Sequence, residues 1–281
     1  MAILVDAFPF FNEIELLHLR LSLLHDLVDQ FLIVEADATH SGQPKPFNLR
    51  GEIGTLNASF GNKIRYLEFP VDLSSLQFKP VTSFDYNSAY FNIEKMQRGA
   101  IIELVRQLPD DAFVLISDAD EIPSREALKL IRAESIGRDL TGLQQTLLYY
   151  DLTSRVNCTW IGTVATTAKR CKESGIQWHR DVGQGHLTGE SKLDLLPDAG
   201  WHLSYFGGVR RIVTKIQSTA QQELNIEKFK SHDHILRAMI NRQDLYERPS
   251  DYNTIGRDFF PQYFLEEVDK NPSFFWNAFA V

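Results

Sequence analysis

The sequence is poor in cysteine and contains no long apolar run. Its two cysteines, Cys158 and Cys171, are too few for a small domain held together by disulfides, so we expect two free thiols. No charge-free stretch reaches the ~20 apolar residues that span a bilayer, and the first residues do not form a signal peptide. These absences predict a cytoplasmic protein.

Basic residues are fewer than acidic ones. Lys and Arg number 29 against 37 Asp and Glu, which gives a formal net charge of -8. Broad nucleic-acid binding requires a basic surface that displaces counterions from phosphates, so we expect no nucleic-acid partner. The local cluster Arg210-Arg211 is still able to hold a small anion.

The remaining composition is that of an ordinary globular protein, with 43% hydrophobic and 23% charged residues. In the first half, apolar runs typical of buried strands alternate with helical apolar stripes. The runs are 2–6, 31–36, 64–69 and 112–117, and the stripes are 13–27 and 87–108. Residues 39–48, with one glycine and two prolines, predict a loop. The alternation predicts an α/β fold built on a parallel, doubly wound sheet.

The pattern changes after the fourth predicted strand. A short helix is predicted over 124–133, and residues 142–167 are rich in Tyr, Thr, Val and Trp, which favours antiparallel strands. The polar, glycine-bearing stretch 168–200 predicts irregular structure. Helical patterns return over 207–225 and in the aromatic-rich tail 232–281. The second half is therefore expected to make the sheet a mixed one.

Two acids, Asp118 and Asp120, directly follow the fourth predicted strand, where ligands of open α/β sheets bind. Residues two apart on an extended chain point to the same side. Two carboxylates on one side, with no cation between them, favour a divalent ion such as Mn²⁺ or Mg²⁺. Such an ion can bridge a diphosphate and neutralise a leaving phosphate. The alternative is a solvated turn that caps the helix beginning near Ser124.

Three sequence blocks together carry a family resemblance. The first runs through Phe10-Phe11-Asn12-Glu13, Glu15-Leu16, Arg20-Leu21, Val28-Asp29, Val34-Glu35, Thr39, Gly42 and Lys45-Pro46. The second is Ser117-Asp118-Ala119-Asp120-Glu121-Ile122-Pro123, and the third is Gly200-Trp201-His202-Leu203-Ser204. In this order they resemble glycosyltransferase family 17, the family of the bisecting N-acetylglucosaminyltransferases. The resemblance extends from the first strand to about Asn225.

The resemblance implies a GT-A-type fold, an α/β architecture in which a mixed sheet flanked by helices binds a nucleotide sugar. Residues 1–123 would form the nucleotide-sugar-binding half of one continuous domain, and 124–281 the acceptor-binding half with the C-terminal helices. It also implies a UDP-sugar donor (UDP-N-acetylglucosamine in the animal members), Mn²⁺ or Mg²⁺, and inversion at the anomeric carbon. The expected acceptor is a glycan or a lipid-linked saccharide, which would bring peripheral membrane association.

His202 is the third candidate metal ligand, beside Asp118 and Asp120. A neutral imidazole coordinates a divalent cation well, and the adjacent Trp201 has a ring that can stack on a sugar. The alternative is a core histidine whose nitrogens bond to the backbone.

Polar residues near the first two strands and on two helices are candidates for binding the nucleotide sugar. They are Asn12, Glu13, Glu35, Asp37, Lys45, Arg98, Asp118, Arg210 and Lys215. The carboxylates at the end of the second strand would accept hydrogen bonds from a ribose, and the cations would meet the diphosphate or, for Arg98, the acid cluster. Each has a structural alternative as a helix cap, a solvated acid or a surface cation.

An inverting transfer needs a general base that takes the proton of the acceptor hydroxyl. The candidates are Asp198, Glu190 and Glu223. We favour Asp198, because it comes directly before Ala199-Gly200-Trp201-His202.

Two other functions compete with sugar transfer. A nucleotidyltransferase would use the same acids on a nucleoside triphosphate. Such enzymes carry a Gly-rich, basic loop after the first strand, where this chain has Asp6-Ala7-Phe8-Pro9-Phe10-Phe11. A sugar-binding protein without turnover is the second alternative, and the intact pair Asp118 and Asp120 argues against it.

Overall fold

Four parallel strands form one half of a mixed sheet. The computed structural model describes residues 2–188 and 193–276. The strands are β1 (Leu4–Phe10), β2 (Gln30–Ala36), β3 (Ile64–Phe69) and β4 (Phe113–Ile116), in the spatial order β3-β2-β1-β4. The helices between them are α1 (Ile14–Leu24), α2 (Ile53–Ser59), α3 (Ala89–Gly99) and α4 (Ile101–Val105). The predicted alternation is thus confirmed, with the predicted helix 87–108 divided at Ala100.

The second half of the chain adds strands that pair in both parallel and antiparallel directions. They are β5 (Glu121–Pro123), β6 (Thr141–Tyr149), β7 (Ser154–Val156), β8 (Trp160–Thr167), β9 (Asp194–Leu196), β10 (Gly200–Ser204) and β11 (Tyr252–Thr254). Strand β8 lies antiparallel between β4 and β6. Strand β10 pairs in parallel with β6 and antiparallel with β5. The predicted α/β fold, a mixed sheet flanked by helices, is confirmed.

Eight further helices lie in the described residues of the second half. They are α5 (Arg125–Arg132), α6 (Ala168–Ser174), α7 (Ile176–Thr188), α8 (Gly208–Ser218), α9 (Glu227–Lys230), α10 (His232–Asn241), α11 (Gln262–Val268) and α12 (Pro272–Phe275). The tail predicted as helical also contains the short strand β11. Across residues 2–188 and 193–276, no helix has the length and apolarity required to cross a bilayer. Both cysteines are free thiols, as expected.

The prediction of irregular structure over 168–200 is wrong, because α6 and α7 occupy most of that segment. Gly175, with φ of 81°, ends α6. A Cβ on Gly183 would lie 2.7 Å from Val164, so this glycine lets α7 approach β8 closely. The buried residues Ile176 and His179 hold α7 against the sheet. The glycines that suggested a loop therefore serve the ending of one helix and the close packing of the next.

Both faces of β1, β2 and β4 are buried, whereas β3 is the partly exposed edge strand. In β1, Leu4 and Phe8 belong to one apolar cluster with α1, whereas Val5 and Ala7 belong to another with α4. Strands that are covered on both sides have few solvent-facing positions to fill with polar residues. This explains why the inner parallel strands are mostly apolar in sequence.

One buried cation joins α1 to β1 and to the loop that follows β4. The guanidinium of Arg20 is fully buried and makes a two-pronged ion pair with Asp6, with Nε–Oδ2 and Nη2–Oδ1 distances of 2.7 and 2.6 Å. Its Nη1 donates to three backbone carbonyls, those of Asp118 (2.9 Å), Ala119 (3.3 Å) and Glu121 (2.8 Å). Arg20 therefore fixes the backbone of the loop that carries the acid cluster.

We predict that Arg20→Met lowers the free energy of unfolding by about 3–5 kcal/mol, because it leaves the Asp6 carboxylate buried without its counter-ion. Urea denaturation measures the change. The matched control is Arg65→Met on β3, where the arginine is exposed, and it should stay within about 0.5 kcal/mol of the wild type. A loss below about 1 kcal/mol for Arg20→Met would contradict this role for the ion pair.

Candidate active site

The loop after β4 forms a tight turn rather than an extended chain. The backbone amide of Glu121 donates to the carbonyl of Asp118 at 3.0 Å, and β5 begins there. The side chains of Asp118 and Asp120 consequently have separate partners. The expectation that both carboxylates point to one side of an extended segment is therefore wrong.

Asp118 is held by two arginines from different helices. Arg98 of α3 donates to Oδ1 at 2.7 Å, and Arg180 of α7 donates to Oδ2 at 2.9 Å. The side chains of Arg98 and Arg180 are only 3% and 8% exposed. Burial alone would raise the pKa of Asp118, but the two guanidinium charges lower it by more and hold it below its usual range. The carboxylate stays ionised and fixed.

Glu121 is the buried centre of the same network. Its carboxylate accepts two hydrogen bonds from Arg180, at 2.8 and 2.9 Å, one from the indole of Trp160 at 3.0 Å, and one from the backbone amide of Asp118 at 2.7 Å. Its side chain is 1% exposed. A Cβ on Gly162 would lie 2.7 Å from the Glu121 carboxyl carbon, so the surroundings are closely packed. This acid holds the turn in shape.

Asp120 lies on the other side of the turn, between a lysine and a histidine. Its Oδ2 accepts a hydrogen bond from Nζ of Lys215 at 2.8 Å and lies 3.5 Å from Nε2 of His202. Burial would raise the pKa of Asp120, but Lys215 and His202 lower it by more, so it remains a carboxylate. The ring of His202 packs on that of Trp160 in a tilted arrangement, with centroids 4.6 Å and ring planes 36° apart.

A divalent cation fits two of the three predicted ligands. In the described ranges no group of three or more His, Cys, Asp or Glu side chains is arranged to hold a metal ion. Asp120 and His202 nevertheless converge at one carboxylate oxygen, and one oxygen with one nitrogen suits Mn²⁺. Nδ1 of His202 is buried without a hydrogen-bond partner in the part of the chain that the structure describes. Asp118, in contrast, is engaged by its two arginines.

Several predicted donor-binding residues line a cavity with Asp120. Asn12, Glu13 and Lys215 are among its lining residues, at the carboxyl end of β1. Glu13 does not cap α1 through its side chain, because its Oε2 accepts from the backbone amides of residues 11 and 12 at 3.1 and 3.0 Å. Burial, and then the charge of Asp120, raise the pKa of Glu13. The neighbouring Arg210 is exposed on α8.

Glu35, Lys45 and Asp37 serve the loop after β2. Glu35 is fully buried, and its carboxylate accepts from Nζ of Lys45 at 2.5 Å, from Tyr66 and from two backbone amides. Asp37 accepts from the backbone amide of Val71 at 2.8 Å. Glu35 thus has no acceptor position left for a ribose, and Lys45 is already paired, so the geometry gives no support to either predicted contact.

Two of the three predicted general bases lie in the described residues. Asp198 is exposed in the turn before β10, which begins at Gly200, and its backbone has a positive φ of 50°. Glu223 lies in the short helical turn Gln222–Leu224 beyond α8. Glu190 lies outside the described residues. The preference for Asp198 rests on its closeness in sequence to His202, and it stays a prediction.

Trp201 does not present its ring to a sugar. It lies next to His202 on β10, and neighbouring side chains of a strand point to opposite faces. Trp201 is 6% exposed and packs on Phe264 with ring centroids 4.3 Å apart. The aromatic ring that packs on His202 is that of Trp160 of β8.

Comparison with known proteins identifies the chain. The family model for glycosyltransferase family 17 matches residues 2–255, nearly the whole sequence. The chain belongs to glycosyltransferase family 17. This membership confirms the predicted family and the predicted enzyme class, a glycosyltransferase.

Two curated relatives match part of this family 17 chain. They are the beta-1,4-mannosyl-glycoprotein 4-beta-N-acetylglucosaminyltransferases of Rattus norvegicus and Homo sapiens, each 33% identical over 131 residues. That stretch covers 46% of this chain and 23% of each relative, so most of each relative has no counterpart in the match.

Solved structures give weaker similarities. The galactosyltransferase LgtC has a TM-score of 0.37 and 15% identity, covering 69% of this chain and 72% of its own. S. aureus TarS has a TM-score of 0.41 and 15% identity, covering 86% of this chain and 43% of its own. The assignment to family 17 rests on the sequence match and not on these structures.

Arg180 is the site residue that sequence reasoning missed in this family 17 chain. It lies in the segment that was predicted to be irregular, where no role was assigned to it. The spacing of Ile176, His179, Arg180 and Gly183 is that of one helix face (i, i+3, i+4, i+7), and all four face the sheet side of α7. A helical interpretation of this segment would have placed Arg180 among buried residues, where an arginine requires acidic partners.

We predict that Arg180→Met destabilises the protein by about 3–5 kcal/mol, because Glu121 and Asp118 lose a buried counter-ion. Arg180→Lys should retain part of the stability, since an ammonium keeps the charge without the two-pronged geometry. Arg170→Met on α6 is the control, since Arg170 is 41% exposed and pairs with an exposed acid. Thermal and urea denaturation measure all three, and equal stability of Arg180→Met and Arg170→Met would refute the role assigned to Arg180.

Proposed function

We propose that this chain is a metal-dependent, inverting glycosyltransferase that transfers N-acetylglucosamine from UDP-N-acetylglucosamine to a glycan or a lipid-linked saccharide. The observation that carries the proposal is the meeting of Asp120, His202 and Lys215 at one oxygen, beside the cavity at the end of β1. The donor sugar is taken from the printed names of the curated relatives.

Asp120 and His202 would hold Mn²⁺ or Mg²⁺, which supplies a positive charge that stabilises the leaving diphosphate. Lys215 would contact the diphosphate from α8 as a second cation. Arg98 and Arg180 would act indirectly. They fix Asp118 and Glu121, and so hold the turn that carries Asp120. Such a fixed arrangement lets charge stabilisation occur without reorganisation of the backbone.

Inversion requires a base on the face of the sugar opposite the leaving group. Asp198, Glu190 and Glu223 remain predictions for this role. The cytoplasmic location and the peripheral membrane association through the acceptor also remain predictions.

The two competing functions lose support from family membership. Neither a nucleotidyltransferase nor a sugar-binding protein without turnover is the class that the matched family names. Release of UDP from the donor, with a sugar on the acceptor, would distinguish the transferase from both. Release of pyrophosphate from a nucleoside triphosphate would instead favour the nucleotidyltransferase.

We predict that UDP-N-acetylglucosamine binds in a manner that requires Mn²⁺, and that Asp120→Ala raises its Kd about thirtyfold or more, because truncating one partner of a buried charged contact costs about 2–5 kcal/mol. Titration calorimetry with and without Mn²⁺ gives both values. The control is Asp139→Ala, since that carboxylate is 86% exposed.

Two outcomes would count against the assignment. If the affinity for UDP-N-acetylglucosamine changes neither on removal of Mn²⁺ nor in Asp120→Ala, then the acids only stabilise a turn. No binding by the wild type would reject UDP-N-acetylglucosamine as the donor, and other nucleotide sugars would then be screened.

A further inference from the structure

Lys215 bonds the same oxygen of Asp120 that a divalent cation would share with His202. Its Nζ lies 2.8 Å from Oδ2, and Nε2 of His202 lies 3.5 Å from that atom. An ammonium and a divalent ion cannot both occupy the space next to one carboxylate oxygen without strong repulsion. The protein therefore carries its own competitor for the metal position.

Each carboxylate of the turn already has a cationic partner without a metal. Asp118, Asp120 and Glu121 face Arg98, Arg180 and Lys215, and Arg98 also pairs with Glu94. A divalent ion entering alone would add two positive charges beside these three cations. A diphosphate arriving with it would supply compensating negative charge.

Lys215 is the one of the three cations whose position leaves it able to move. Its side chain is 39% exposed, against 3% for Arg98 and 8% for Arg180. Its Nζ lies 5.1 Å from the ring centroid of Tyr205, beside the cavity. The lysine side chain is a flexible chain of four carbons. The ammonium can therefore move from Asp120 towards an incoming phosphate while α8 stays in place.

We propose that Lys215 occupies the cation position at Asp120 until the donor arrives, so that the protein takes up the divalent ion only together with the donor diphosphate. The inference rests on the proposed metal-dependent transfer and adds to it an order of binding and a residue that enforces it. Lys215 is then a positioning residue that changes partner, from a carboxylate in the free protein to a phosphate in the complex.

Linkage gives the quantitative consequence. If donor binding removes the ammonium from Asp120, then UDP must raise the affinity for Mn²⁺, and Mn²⁺ must raise the affinity for UDP by the same factor. Removing the ammonium by mutation should make Mn²⁺ binding less dependent on UDP. A residue that only supported the fold would not produce a gain of metal affinity when removed.

The test measures Mn²⁺ binding to the full chain in the absence of any nucleotide, with free Mn²⁺ followed by electron paramagnetic resonance. We expect Lys215→Met to bind Mn²⁺ about tenfold or more tightly than the wild type, a factor within the usual range of coupling between sites. Adding Asp120→Asn to this variant should abolish the gain, which locates the ion. Lys129→Met is the control, since Lys129 is an exposed lysine in the last turn of α5.

Equal affinity of the wild type and Lys215→Met for Mn²⁺ alone would overturn the proposal. If Lys215→Met does not fold, Lys215→Gln replaces it. A second measurement uses the wild type alone, in which UDP should raise the affinity for Mn²⁺ about tenfold or more. Failure of the proposed function is distinguishable. A wild type that binds no nucleotide sugar, while Lys215→Met gains Mn²⁺, would reject the transferase assignment and retain the competition at Asp120.

Discussion

A guanidinium buried between α1 and β1 sets the backbone on which the whole site is built. Arg20 is neutralised by Asp6 and donates its remaining hydrogen bonds to the Ser117 hydroxyl and to three backbone carbonyls of the turn after β4. Carbonyl oxygens that converge on one point repel each other unless a donor lies between them. The cation therefore makes a backbone shape possible that the sequence Asp118-Ala119-Asp120-Glu121 would not adopt alone. The directions of the acidic side chains follow from that shape.

The turn divides its acids into two groups with different surroundings. Asp118 and Glu121 point towards α3 and α7, where arginines that are almost fully buried hold them. Asp120 points the other way, towards β10 and α8, where its partners are His202 and a lysine that reaches solvent. In a buried environment an unpaired carboxylate is strongly disfavoured. Each acid is thus paired, but only Asp120 has a cationic partner that can move away without a large loss of packing.

The sequence predicts the parallel half of the sheet well because both faces of its inner strands are buried. A continuous apolar run bounded by turn residues has few interpretations, and the predicted strand 112–117 contains β4, whose four residues are all buried. The segment with α6 and α7 was predicted wrongly, since its polar residues and glycines resemble a loop. The helix α7 is stabilised by packing on β8, a contact that the residue types of α7 do not reveal by themselves. Tertiary packing overrode the local signal there.

The site shows the same limit at the level of single residues. The acids of the turn could be found from one short motif, because their roles follow from the end of a strand. Arg180 and Lys215 come from two helices and reach the motif only after folding, so their partners cannot be inferred from spacing.

The exposure of each cation therefore distinguishes the rigid part of the site from the movable part. The arginines have little freedom, because their planar groups are fixed by two or more bonds each in a closely packed region. The lysine has one carboxylate partner and a flexible stem. Substrate binding at such a site would require one side chain to change partner while the backbone of the turn stays as folded. An active site that moves so little keeps its remaining charges preorganised for the transferred group.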